Sequence, residues 1–270
     1  MCTLVILRHV HPEWPLVLAT NRDEFLARPA LGPQVLSESP RIVGGKDLER
    51  GGTWAGVTNG GVFVGLTNQR GAGGQGPAAR SRGEVVLRAL QAGSVAAIDR
   101  YLDTLPGDAF LPFNLLYGDA QTLRVAYARP DTSRLLRQDV PPGVHVLPNG
   151  VLDAPGIPKV ARARSLATQV AQRPWPELAE GLKALLADHA LPELEALPPA
   201  LDGDALPREF VRQLQALCIH TPGYGTRSSA LIALAPGRVG HYLATENAPC
   251  QGGWRDVSGL LTTAARTGTR

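Results

Sequence analysis

Two compact apolar runs open the chain, residues 3–7 (Thr-Leu-Val-Ile-Leu) and 16–20 (Leu-Val-Leu-Ala-Thr). Both are rich in strand formers, and the polar, proline-containing stretch 9–15 between them predicts a hairpin loop. Strands are also expected at 53–58 and 62–66, around the tight-turn signal Asn59-Gly60-Gly61. Four glycines in residues 71–76 imply an irregular loop. Ser81-Arg82-Gly83-Glu84 then leads into a helix carrying Val85, Val86, Leu87, Ala89 and Leu90. Ser94 is placed to cap the next helix, with Val95, Ile98 and Leu102 on one face. Strands resume at 113–117, 122–128 and 144–147. A helical region follows over 159–189, interrupted by Pro174 and Pro176, and 191–207 reads as a proline-rich surface loop. A short helix at 208–217 precedes closing strands at 227–235 and 239–244.

Strands interleaved with helix pairs, without strict β-α-β alternation, predict an α+β protein. Helices covering the outer faces of two stacked, mainly antiparallel sheets would give a four-layer αββα sandwich. No repeat or boundary interrupts residues 1–270, so a single domain is expected.

Composition adds limits. At 270 residues, 44% hydrophobic and 19% charged, the chain can bury a substantial core. A formal charge of +3 suits an anionic small molecule but, without a basic cluster, gives no argument for nucleic acid. Only three of the 27 basic residues are lysines (Lys46, Lys159, Lys183). No segment reaches the roughly 18 apolar residues that span a bilayer. No basic region precedes the short apolar run that Arg8 ends, so a signal peptide is not expected. Three cysteines, Cys2, Cys218 and Cys250, are too few and too scattered for a disulfide scaffold. A cytoplasmic, reduced protein is the expectation. Oligomeric state is not legible.

Cys2 carries the sharpest chemistry. Removal of the initiator methionine would leave a thiol and a free α-amine on one residue. An α-amine has an unperturbed pKa of about 7.7–8.0, so it can take the thiol proton near neutral pH and serve as the general base. A nearby arginine would hold the thiolate. No catalytic histidine is then required, which fits histidines that fall in no motif. The plainer alternative is a small residue opening a buried strand. Cys218 reads as core, and Cys250 shows no metal-ligand spacing with it. No metal or other cofactor is expected.

Asn21-Arg22-Asp23-Glu24-Phe25 follows directly on the second predicted strand. In a hairpin this cluster lies near the N-terminus, where Arg22 can polarise a thiol and Asp23 or Glu24 can hold an ammonium or a substrate amine. Further along come Gly51-Gly52-Thr53-Trp54, Gly65-Leu66-Thr67-Asn68, Ser81-Arg82-Gly83, the run from Phe113-Asn114 to Gly118-Asp119, Leu147-Pro148-Asn149-Gly150 and Tyr224-Gly225-Thr226-Arg227. Met-Cys at the start with Asn-Arg-Asp-Glu about twenty residues on, and these segments in this order, resemble the NRDE family of transport and Golgi organisation proteins over nearly the whole chain.

That family is similar to the cysteine branch of the N-terminal nucleophile hydrolases, relatives of penicillin V acylase and bile salt hydrolase. The resemblance implies Cys2 as nucleophile and base, Asn68 and Asn149 as oxyanion-hole candidates, and Arg227 as a late arginine near the thiol. Arg22 and Asp23 complete the implied catalytic set, while Asn21, Glu24, Trp54 and Asn114 are candidates for substrate binding. The hydrolases carry Arg-Asn-x-Asp-aromatic, whereas here Asn precedes Arg. An ungapped overlay puts Asn21 and Glu24 at the key positions; either a shift of register restores Arg22 and Asp23, or the site is rebuilt. Trp54 and Asn114 also have structural readings, as a core aromatic and a member of a buried network. The implied activity is hydrolysis of an amide-like C–N bond in a small molecule. The family resemblance also offers a non-catalytic alternative, binding and trafficking of haem, lipid or acyl-CoA.

Overall fold

In a strand, neighbouring side chains point to opposite faces, and the apolar runs at the N-terminus are apolar on both. The computed structural model describes residues 2–69, 80–129, 131–199 and 206–262. The first hairpin forms as expected from β1 (Thr3–Arg8) and β2 (Leu16–Phe25), closed by the His9 N–H donating to the Pro15 carbonyl at 2.7 Å. The chain continues through β3 (Ala30–Glu38), β4 (Arg41–Asp47), β5 (Ala55–Thr58) and β6 (Phe63–Asn68). Helices α1 (Arg82–Gln91) and α2 (Val95–Asp103) follow, then β7 (Phe113–Gly118), β8 (Leu123–Ala128), β9 (Leu136–Asp139) and β10 (Gly143–Leu147). Next come α3 (Pro158–Val170), α4 (Trp175–Leu186) and α5 (Arg208–Gln213). The described chain closes with β11 (His220–Thr221), β12 (Tyr224–Ala235), β13 (Arg238–Thr245) and β14 (Arg255–Asp256).

One sheet runs in the order β10-β1-β2-β12-β13-β14, with β11 paired to β12, and the other is the meander β3 to β9. The described pairings are antiparallel. Val5, Leu7, Val17 and Ala19 pack against α3 and α4 through Val160, Ala163, Leu178 and Leu182. Their neighbours Leu4, Ile6, Leu16 and Leu18 meet Val43, Val57, Phe63 and Leu116 of the second sheet. The far face of that sheet, including Ile42, Val64, Leu115 and Tyr117, is covered by Val86, Leu90, Ile98 and Leu102 of α1 and α2. Three apolar layers between four structural layers make the expected αββα sandwich.

Ser94 caps α2 as expected, its Oγ accepting from the Ala97 N–H at 3.3 Å. The Asn59-Gly60-Gly61 turn joins β5 to β6, with Gly61 at φ 79°. The expected 159–189 region divides into α3 and α4, each with proline in its first turn, where the missing N–H costs nothing. The glycine-rich stretch 71–76 lies outside the described residues, as does part of 191–207. Strands β3 and β4 were not expected. Their sequences, Ala-Leu-Gly-Pro-Gln-Val-Leu-Ser-Glu and Arg-Ile-Val-Gly-Gly-Lys-Asp, break the alternation with glycine and proline. In β4 the reason is packing: a Cβ on Gly45 would collide with the Trp54 ring. β3 is an edge strand, where proline is tolerated.

Phe63 is fully buried at the centre of the layer between the sheets. Phe63→Ala is expected to destabilise the protein by about 3–5 kcal/mol, read as a lower midpoint in urea unfolding with an unchanged slope.

Candidate active site

Strand β1 lies between β2 and β10, so two registers fix what surrounds its first residue. Thr3 pairs with Asn21, and Leu4 pairs with Leu147. Carried back to Cys2, these registers set Arg22 on one side and Asn149 on the other. The alternation that sends Leu4 and Ile6 between the sheets sends Cys2 the same way. In β2 it sends Arg22 and Glu24 to that side and turns Asn21 and Asp23 toward the helices.

Cys2 opens into a cleft of about 280 Å³. Arg22, Glu24, Arg28, Asp47, Trp54, Asn68, Arg80 and Arg82 are the members of its lining with the most chemistry. Arg22 is 5% exposed and stacks over the Trp54 ring at 4.3 Å, a contact worth up to about 2 kcal/mol when desolvated. Burial lowers the guanidinium from its ordinary value, while the Cys2 sulfur and Glu24 support its charge. Among the described residues no carboxylate lies within ion-pair distance of it. Burial likewise pushes the Cys2 thiol up. The positive chain terminus, the Asp23 backbone N–H and Arg22 pull it back, against the charge of Asp23. A thiol so placed needs a base before it can act as a nucleophile.

Asp23 is 3% exposed and accepts from the Thr226 hydroxyl at 2.6 Å. Its carboxyl is raised by burial, against the chain terminus, Lys159, Thr226 and Arg22, which favour the charged form. Lys159, at the start of α3, is itself buried and donates to the Thr3 hydroxyl at 3.5 Å. Glu24 accepts from the Phe25 N–H at 2.9 Å and faces Arg28 at 3.9 Å. Arg28 also pairs with Asp47 at 2.8 Å and Glu49 at 3.4 Å. Burial alone would raise Asp47, but the Arg50 and Glu49 N–H groups and Arg28 outweigh it and hold the carboxyl below its usual range.

The three asparagines beyond β2 separate. Asn149 donates from Nδ2 to the Asn68 carbonyl at 2.5 Å, so the two oxyanion candidates touch. Asn114 is a brace: its Nδ2 donates to the Thr67 hydroxyl at 2.9 Å and to the carbonyls of Pro148 and Gly150 at 3.2 and 2.7 Å. It thereby pins the peptide carrying Asn149 to the second sheet and is not itself in the cleft. Asn21 is equally structural in its contacts. It donates to the carbonyls of Leu186 and Leu217 at 2.9 and 2.7 Å and accepts from Ser229 at 2.5 Å. Arg22 and Glu24 line the cleft with Cys2, whereas Asn21 and Asp23 do not.

Arg227 sits in the bulge where β12 passes β2 and donates to the carbonyls of Phe25, Leu26 and Arg28 at 3.1, 2.6 and 3.0 Å. It lines an adjoining compartment of about 60 Å³, walled by Leu31, Phe63, Ile232 and Tyr242, not the cleft that Cys2 lines. Arg22 and Trp54 line both and form the partition.

The sequence around Arg82 predicts a helix start, yet Arg82 lines the cleft, is lowered by burial and feels the Cys2 charge. The signal for it was present. Gly52 and Gly83, one from each glycine motif, pack backbone to backbone, and the Thr53 N–H donates to the Gly83 carbonyl at 3.2 Å. Lys159 gave no signal, since a lone lysine before an apolar helix is ordinary. Among the described histidines none lines either compartment. His11 bonds Arg173 and the 13–14 backbone, His145 pairs with Asp153, and His241 stacks on Trp175. Among the described residues no helix is long and apolar enough to cross a membrane.

Two antiparallel sheets between helix pairs, with the second residue of the chain at the mouth of a cleft between them, define an N-terminal nucleophile hydrolase-like fold. Conjugated bile acid hydrolase from Clostridium perfringens superposes with a TM-score of 0.57 over 100% of this chain and 97% of that one, at 12% identity. Penicillin V acylase from Agrobacterium tumefaciens gives 0.52 over 95% and 86%, also at 12% identity. Within that class, the chain belongs to the Transport and Golgi organisation 2 family, whose model matches residues 1–246. It is 31% identical to the human Transport and Golgi organization protein 2 homolog over 242 residues, 83% of this chain and 84% of that protein. The mouse homolog is 28% identical over 244 residues, 86% and 85% of the two chains.

Two outcomes are expected. Because the fold raises Asp23, its contribution to stability is fully present below the unfolded value of about 3.9 and is lost as pH rises through the higher folded value. Asp23→Asn removes that dependence, so the stability of the variant relative to the parent should increase between about pH 4 and pH 7. Chemical denaturation at both pH values measures it, and a difference that falls with pH contradicts it. Asn114→Ala takes the side-chain donor from the Gly150 carbonyl and one of the two donors from that of Pro148, which keeps the Thr67 hydroxyl, and should cost about 1–3 kcal/mol, with faster hydrogen exchange across 147–151.

Proposed function

We propose that the protein is an N-terminal-cysteine hydrolase acting on an amide-like C–N bond of a small molecule. The observation that carries this reading is the double register that sets Cys2 opposite Arg22 on one side and Asn149 on the other, with Cys2, Arg22 and Asn68 lining the cleft. Excision of Met1 leaves the α-amine on Cys2. That amine takes the thiol proton, and the thiolate adds to the substrate carbonyl carbon. Asn149 has two amide hydrogens. One is committed to the Asn68 carbonyl, which fixes the plane of the group, and the other serves the oxyanion. An aimed donor of this kind contributes about 3–4 kcal/mol to lowering the barrier.

Collapse of the tetrahedral adduct breaks the C–N bond, and the leaving amine takes its proton from the ammonium of Cys2. Water, deprotonated by the same amine, then cleaves the thioester and returns the thiol. Asp23 lies close enough to Cys2 for its backbone N–H and its charge to act on the thiol, and from there it can hold the ammonium. Arg22 supports the thiolate and is itself held in place by Trp54. Arg80 and Arg82 add positive charge to the cleft, which favours a substrate with an anionic group near the scissile bond.

Intact-mass analysis of native protein should show Met1 removed and one thiol, Cys2, alkylated first by limiting iodoacetamide. Cys2→Ala should lose that fast adduct. Arg22→Leu should slow it by about tenfold or more, because an adjacent cation shifts such a group by about 1–3 pKa units. Retained Met1 in the purified protein would sink the proposal.

A further inference from the structure

Four side chains that are far apart in sequence converge on the helix side of the first sheet: His189, Cys218, His220 and Cys250. One ligand atom from each lies within 4.8 Å of all the others. His189 follows α4, Cys218 lies two residues before β11 and His220 opens it, and Cys250 lies in the 3-10 turn Pro249–Gln251 that packs on α4. The separations of 29, 2 and 30 residues that the hydrogen-bond geometry records match no linear ligand motif, which is why sequence spacing gave no metal site.

The three distances among Cys218, His220 and Cys250 fit such a site. Zinc binds sulfur at about 2.3 Å and imidazole nitrogen at about 2.0–2.1 Å, so the edges of its tetrahedron are about 3.8 Å for S···S and about 3.5 Å for S···N. Here the Cys218 and Cys250 sulfurs are 3.7 Å apart. His220 Nε2 lies 3.5 Å from the Cys218 sulfur and 3.3 Å from that of Cys250. His189 Nδ1 is 3.0 Å from the Cys218 carbonyl. A carbonyl only accepts, so Nδ1 carries the proton and Nε2 keeps its lone pair. An imidazole oriented by donating its other N–H to a carbonyl is the usual outer-shell support of a metal-bound histidine.

We infer that His189, Cys218, His220 and Cys250 form a structural zinc site. Two thiolates and two neutral imidazoles in a tetrahedron suit zinc, and four protein ligands leave no open position for catalysis. The site is also placed to matter. Leu217, next to Cys218, accepts from Asn21, and the Ile219 N–H donates to the Thr226 hydroxyl that in turn donates to Asp23. A metal holding 218–220 to His189 and the 249–251 turn therefore braces the back of β2, on the opposite face from Arg22. The inference does not depend on the hydrolase proposal.

The test uses untagged full-length protein carrying Cys2→Ala, so that the cleft thiol takes no part. After treatment with a chelator under reducing conditions, it is titrated with Co²⁺ and then Zn²⁺. The expected result is one equivalent of cobalt with tetrahedral d–d bands and thiolate charge transfer, displaced by one equivalent of zinc. Zinc should also shield Cys218 and Cys250 from iodoacetamide and raise the melting temperature. Loss of an outer-shell partner weakens a site about 10–100-fold, so Cys250→Ser and His189→Ala, each removing a direct ligand, should cost at least tenfold in zinc affinity. Circular dichroism of the metal-free variants controls for folding, since Cys250 and His189 are both exposed. No stoichiometric cobalt binding, or an octahedral spectrum without charge transfer, overturns the inference. So does a Cys218–Cys250 disulfide that persists in reductant and excludes zinc.

Discussion

Strand β1 is paired along both edges, and its side chains alternate between two buried layers. A slip of one residue against β2 would exchange Leu4 and Ile6 with Val5 and Leu7, and it would turn the first residue of the strand toward the helices. Both faces are apolar, so burial alone does not choose between the two arrangements. Polar groups decide it. Asn21 meets the carbonyls of Leu186 and Leu217 only on the helix side, and the Asp23 carboxyl meets the Thr226 hydroxyl. These buried hydrogen bonds hold the register, and the register holds Cys2 beside Arg22.

The same logic operates in the second sheet. Trp54 must lie flat to receive the Arg22 guanidinium, and glycine at position 45 gives it room. Gly52 and Gly83 bring the turn before β5 against the start of α1, which delivers Arg82 to the cleft. Asn114 ties the loop after β10 to β6 and β7, so Asn149 is positioned from both sheets. Much of what is polar around Cys2 is therefore scaffolding, made of groups that align the few side chains facing the cleft.

Layering was legible because it rests on local signals: alternation in the hairpins, Asn-Gly-Gly turns, serine before helices and proline within first turns. The order of Asn21 and Arg22 could not be interpreted from sequence, since the side a residue faces depends on partners about 165 and 196 positions away. β4 was hidden because close packing on Trp54 leaves room only for glycine at position 45, and β3 because Gly32 and Pro33 interrupt an edge strand. Lys159 and the cluster around Cys218 were invisible for a related reason. Their meaning lies in proximity that loops create, and no periodicity records it.

The stacked pair of Arg22 and Trp54 also lies between two spaces, a larger one that Cys2 lines and a narrower one walled by Phe63, Ile232 and Tyr242 with Arg227 and Glu246. A molecule that passes from the first space into the second between these two side chains would have to lift the guanidinium from the ring. That displacement costs about 0.5–2 kcal/mol, a factor of about 2–30 in affinity. A barrier of this height does not forbid long ligands. It grades them, so that chain length is measured by the softness of a single contact and not by the rigidity of a wall.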